Sequence, residues 1–146
     1  MKLWITLYAM VWIAFFEFLF VMTPTFNIYL VYLHIVMGVV IMGLAYYNFS
    51  RLKATSVPGR VKRIAKSTIG MAITVGVLGI LLYYRIGNDW AIFSGVTIGG
   101  VILLLHDVAA FAIITQAAAV AIAHDMWEGK EFEKASVPGQ IPTRTG

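Results

Sequence analysis

Residues 101–123 read VILLLHDVAAFAIITQAAAVAIA, an apolar run interrupted by His106, Asp107, Thr115 and Gln116 alone. At a rise of about 1.5 Å per residue, a helix of this length crosses the roughly 30 Å hydrocarbon core of a bilayer. The apolar region extends upstream to Trp90, further than one crossing requires. Ser94, Gly95, Gly99 and Gly100 punctuate its first part, so the sequence predicts an interfacial lead-in and then a long helix from about residue 99 to 128.

Three more such segments precede it. A polar turn, Arg85-Ile86-Gly87-Asn88-Asp89, closes a third segment from about Ser67 to Tyr84. Before that, Arg51 to Lys66 carries Arg51, Lys53, Arg60, Lys62, Arg63 and Lys66 without an acid, around a Ser56-Val57-Pro58-Gly59 turn. Such a cluster marks the cytoplasmic side of a membrane protein, which also explains the basic charge without nucleic acid. The second segment runs from about Ile28 to Asn48, and the first from Leu3 to about Met22, joined by the short turn Thr23 to Asn27. The first segment lacks a small-residue cleavage site and a strongly basic start, so it reads as a retained helix rather than a signal peptide.

Composition agrees. Of 146 residues, 60% are apolar and 12% charged, and mean hydropathy is +0.85, whereas soluble domains are roughly half apolar and a quarter charged. A soluble protein is excluded, and at about 20 residues per crossing the length holds about four helices in one domain. The expected fold is all-α: an up-down-up-down four-helix bundle over residues 1–128, integral to the cell membrane, with both termini cytoplasmic. Residues 129–146, with Pro138 and Pro142, are expected to form a cytoplasmic tail that needs a partner to order it. Lys53-Ala-Thr-Ser-Val-Pro-Gly59 is echoed by Lys134-Ala-Ser-Val-Pro-Gly139, a single match that fits either hairpin duplication or coincidence. The chain has no cysteine, which excludes disulfides, iron-sulfur clusters, thiolate metal sites and a cysteine nucleophile.

The chemistry must therefore lie in the ionisable groups within the apolar segments, each costing roughly 2.5 to 3.5 kcal/mol at a helix centre. These are Glu17, His34, His106 and Asp107. Counted from the nearer segment ends, the first three all lie about 8 to 10 Å below one surface. Two histidines at one depth on the second and fourth helices are what bis-histidine heme b ligation requires. Gly38 and Ala110, one turn after each histidine, would leave room for a flat macrocycle, and Gly76 and Gly79 would do the same on the third helix. Arg85 is the candidate partner for heme propionates, against a solvated loop charge. Tyr29, Tyr32, Trp90 and Phe93 would surround the edge or anchor the interface. A copper or other metal site at His34 and His106, or interhelical hydrogen bonding alone, are the alternatives.

Glu17 has two functional readings: a proton-handling group near a quinone or heme edge, or a carboxylate orienting a ligand histidine. Otherwise it is a protonated acid bonded to a neighbouring helix. Asp107 is expected to face Thr115 or Gln116, the lead-in, or another subunit. His124 lies on the same face as His106, with Met71 the candidate sixth ligand of a second heme; the alternative is a place at the cytoplasmic interface.

In order come His34, the basic Arg60-Val-Lys-Arg-Ile-Ala65, then Val77-Leu78-Gly79-Ile80-Leu81, then Leu105-His106-Asp107-Val-Ala-Ala-Phe111. Over about residues 28–117 this resembles one four-helix half of the heme A synthase family, which has a histidine on the second and fourth helices of each half. The resemblance implies a heme-binding bundle with His34 and His106 as ligands. The family's glutamate three residues before the first histidine, and its usual arginine after it, correspond here to Val31 and Ile35. The copper-resistance D family and other membrane b-type cytochromes share the looser pattern. The functional expectation is electron transfer through one heme b, with a quinone or another redox protein as partner. Its rivals are a cofactor-free accessory subunit of a larger membrane complex and a heme-modifying enzyme in which Glu17 handles protons.

Overall fold

The structure is a computed structural model that describes residues 2–21 and 27–136. Four helices, α1 (Leu3–Val21), α2 (Ile28–Lys53), α3 (Gly59–Tyr83) and α4 (Ile98–Ser136), account for most of it, and β1 (Ala91–Phe93) and β2 (Val96–Thr97) form a small antiparallel hairpin before α4. All four helices are long and apolar enough to cross a membrane. The protein is a multi-pass membrane four-helix bundle.

Several boundaries differ from the sequence reading. Helix α2 continues past Asn48 to Lys53, and α3 begins at Gly59 rather than Ser67. Basic residues are good helix formers when their charged ends reach out of the apolar layer, so the cluster at 51–66 decorates helix ends instead of a loop. The connection proper is Ala54 to Pro58. Its carbonyls are gathered by Lys62, whose Nζ donates to Thr55 O at 2.7 Å and Lys53 O at 3.3 Å. Likewise, α4 continues through residues 129–136. Residues 137–146, including most of the second Ser-Val-Pro-Gly, lie outside the described residues. The expected lead-in before α4 is the hairpin.

Each helix packs on its sequence neighbours and α4 also packs on α1, so α1 and α3, and α2 and α4, stand on diagonals. The up-down order is visible in three layers. At the end of the bundle that carries the basic residues, Leu7, Leu52, Val57, Val61, Ala65, Val120 and Ala121 cluster. In the middle come Met10, Ala14, Ile41, Ala45, Ala72, Ile113 and Ala117. Beyond them, towards the hairpin end, lie Glu17, His34, Val75 and His106. Residue numbers rise through the layers in α1 and α3 and fall in α2 and α4, which makes neighbours antiparallel.

The packing is inverted relative to a soluble bundle. Alanine dominates the buried positions, while Val39, Leu104 and Phe111 are at least 60% exposed. Where the surroundings are lipid there is no gain in hiding large apolar side chains, and small residues let the backbones approach. Buried polar groups then tie helices together. Asn48 Nδ2 donates to Thr6 O at 3.2 Å, joining α2 to α1. Thr68 Oγ1 lies 2.9 Å from Ile64 O and 3.0 Å from Gln116 Oε1, joining α3 to α4.

Helix α3 ends in a Schellman turn. Ile86 N donates to Leu81 O at 2.9 Å and Arg85 N to Leu82 O at 3.0 Å, with Arg85 at the left-handed position (φ 57°) where glycine is usual. The start of α4 then docks on this turn through Gly99 N to Gly87 O at 2.9 Å. A Cβ on Gly99 would stand 2.9 Å from Asn88 Cα and collide with the Asn88 side chain. Gly99→Ala should therefore lower stability by about 1 to 3 kcal/mol, the usual cost of overpacking, read as a reduced unfolding midpoint in detergent micelles.

Candidate functional site

The buried polar layer near the hairpin end brings together three of the four residues singled out in the sequence. Glu17 on α1 and His34 on α2 approach with Oε1 3.1 Å from Nδ1, and their side chains are 11% and 27% exposed. Alignment falls short of a good hydrogen bond, so the contact is chiefly electrostatic. His106 on α4 is buried, and its Nδ1 lies 3.1 Å from the carbonyl of Val75 on α3. The His34 and His106 rings come from diagonal helices and meet near the bundle axis, with centroids 6.0 Å apart and planes inclined at 57°.

These contacts set the chemistry of each ring. A carbonyl can only accept, so Nδ1 of His106 carries the hydrogen and Nε2 keeps its lone pair. An ionised Glu17 does the same for His34. This is the arrangement by which a carboxylate or carbonyl on one nitrogen orients a ligating imidazole and makes its other nitrogen more basic. Two imidazoles facing each other through one metal ion, with bonds of roughly 2 Å, have ring centres about 6 Å apart. The centroids of His34 and His106 are at that separation. Among the described residues, no three His, Asp or Glu side chains converge on a common metal position.

The glycines have other neighbours than a macrocycle. A Cβ on Gly79 would lie 3.3 Å from His106 Cε1, one on Gly38 would lie 3.6 Å from Glu17 Oε1, and one on Gly76 would lie 3.2 Å from Met42 Cε. Gly79 makes room for the His106 ring, while a side chain on Gly38 would meet the Glu17 carboxylate at ordinary contact distance. Ala110 is half-buried on α4, one turn beyond His106. Arg85 is exposed in the turn after α3 at this same end of the bundle. Around that end Tyr29, Tyr32, Trp90 and Phe93 are all exposed, as interface aromatics are.

Two expectations are corrected. Asp107 does not pair with Thr115 or Gln116: Thr115 Oγ1 donates to Phe111 O on its own helix, and Gln116 bonds to Thr68 and Ser67. Met71 is not placed to join His124, because it packs with the middle layer around Ala72 and Ala117, whereas His124 is a neighbour of Trp127 and Glu128 at the basic end. Sequence reasoning also missed Val75, which acts through its backbone and so leaves no side-chain signal. It missed Asn48 and Thr68 as well, although a polar residue within an apolar segment was there to be read.

Compared with models of known families, with curated proteins and with solved structures, the chain matches none. The likeness to half of heme A synthase rests on the quoted motifs alone. What fold and site together define is a class: a four-helix membrane protein with a carboxylate and two imidazoles gathered in its interior.

The Glu17–His34 contact should be measurable by a double-mutant cycle. Glu17→Leu, His34→Leu and the double variant, unfolded in mixed micelles, should give a coupling of about 1 kcal/mol, the scale of polar contacts between membrane helices. In ¹⁵N spectra, Gly79→Val should change the imidazole signals of His106 by displacing the ring from Val75.

Proposed function

We propose that the protein is a membrane electron carrier in which His34 on α2 and His106 on α4 would hold one heme b. The observation that carries this reading is the pair of rings 6.0 Å apart on diagonal helices, with Nδ1 of His34 against an oxygen of α1 and Nδ1 of His106 against one of α3. When bound, heme supplies a one-electron couple. His34 and His106 present Nε2; the Val75 carbonyl and Glu17 carboxylate hold the rings in orientation. The apolar surround limits water at the centre, and Arg85 is the basic group available to propionates. In this reading Glu17 is a positioning residue. Electrons would pass to or from a quinone or another membrane redox protein.

The basic end of the bundle, with both termini, would lie in the cytoplasm, and the histidine layer would lie in the outer half of the bilayer. Six basic residues between Arg51 and Lys66 against Arg85 and Asp89 at the other end support this orientation.

A cofactor-free subunit of a larger membrane complex is the second reading. It is favoured by the way Glu17 and His106 themselves fill the faces of Gly38 and Gly79.

A reduced-minus-oxidised spectrum separates the two. Protein purified from a heme-replete host should show a sharp low-spin b-type alpha band that both His34→Ala and His106→Ala abolish, while Glu17→Gln keeps the band and raises the midpoint potential. The sign follows from charge: removing a nearby anion disfavours the more positive oxidised iron. Protein without Soret absorbance would sink the heme reading in favour of the subunit.

Orientation has its own test, since the chain has no cysteine. Ser56→Cys should be shielded from an impermeant thiol reagent in intact cells, and Ser94→Cys should be labelled.

A further inference from the structure

At the basic end, far from the histidine pair, an open groove of about 1060 Å³ lies between the start of α1, the end of α2 and the last turns of α4. The described function leaves it without a role. His124 lines it, yet that residue is only 5% exposed. The His124 Nδ1 atom is buried without a hydrogen-bond partner, the nearest acid being Glu128, whose Oε2 is 3.9 Å away. Of the two ring nitrogens, it is Nε2 that is left to open on the groove. Trp127 stands against the imidazole, ring centroids 5.9 Å apart, and Trp4, Tyr8 and Phe132 complete aromatic walls.

The charges in the groove decide what it suits. Lys2 and Arg51 on one side are matched by Asp125 and Glu128 on the other, so the lining has no net preference for an anion. A phosphate head would meet two carboxylates there. A neutral, flat head with carbonyl or hydroxyl oxygens at its rim meets no such penalty. It can stack on the indoles and bond to the buried imidazole, whose protonated form donates to a carbonyl and whose neutral form accepts from a hydroxyl. The mouth lies at the edge of the apolar belt, so an isoprenoid tail can stay in lipid.

The geometry points to a quinone-binding site in the groove beside His124, with the imidazole Nε2 bonded to a ring oxygen of the quinone or quinol. The site is one of binding, and it stands whether or not His34 and His106 hold heme.

The test is a titration of the full chain, reconstituted in phosphatidylcholine nanodiscs, with decylubiquinone, followed by quenching of tryptophan fluorescence. Saturable quenching is expected. His124→Ala should weaken it about tenfold or more, the worth of one hydrogen bond to an ionisable group. His124→Asn, which keeps an N–H donor, should retain most of the affinity, and the exposed Trp4→Leu, which leaves the buried layers untouched, should lower it several-fold. His34→Ala should leave it unchanged. Linear, unsaturable quenching common to all variants would overturn the proposal, as would loss in His34→Ala but not in His124→Ala. Displacement by glycerol 3-phosphate would also overturn it, by showing that the groove recognises phosphate.

Discussion

The narrowness of the inner helix faces is the constraint on which the rest of the structure depends. Ala45, Ala72, Ala109, Ala117 and Ala121 are buried, and their small side chains let four helices close on one another where lipid offers no hydrophobic drive to do so. Close backbones bring carbonyls such as that of Val75 within reach of side chains on the next helix. They also leave little room for anything unmatched. A glutamate and two histidines survive in the interior because each has an oxygen or nitrogen from a neighbouring helix at about 3 Å.

Polar contacts then fix which helices pair and in what register. Asn48 with Thr6, Thr68 with Gln116, Glu17 with His34 and His106 with Val75 link α2 to α1 and α3 to α4 at different heights. A slip of one turn in any helix, about 5.4 Å, would separate every one of its pairs at once. The many buried alanines supply little of that specificity, since one small side chain fits in place of another. Register and candidate site are set by the same few residues.

Much of this was legible in the sequence. Hydropathy and length indicate four membrane helices, and counting along them puts Glu17, His34 and His106 at a common depth. Helix ends were less readable: the basic residues from Arg51 to Lys66 look like a loop but continue α2 and α3, because charge says where the bilayer ends and not where the helix does. The purpose of Gly38 and Gly79 was equally hidden. A glycine announces close approach without saying what approaches, and here the neighbours are Glu17 and the His106 ring. The groove beside His124 could not be foreseen, since it is formed by the ends of three helices whose relative heights come from packing.

Helix α4 spans Ile98–Ser136 without a proline, about 58 Å at helical rise and nearly twice the thickness of the apolar layer. It carries His106 near one end, His124 near the other, and is clasped by α1 and α3 around Ile113 and Ala117 in between. His106 and His124 lie 18 residues and about 27 Å apart along this one continuous helix, so a single element fixes the spacing between the two levels of the bilayer at which the imidazoles sit.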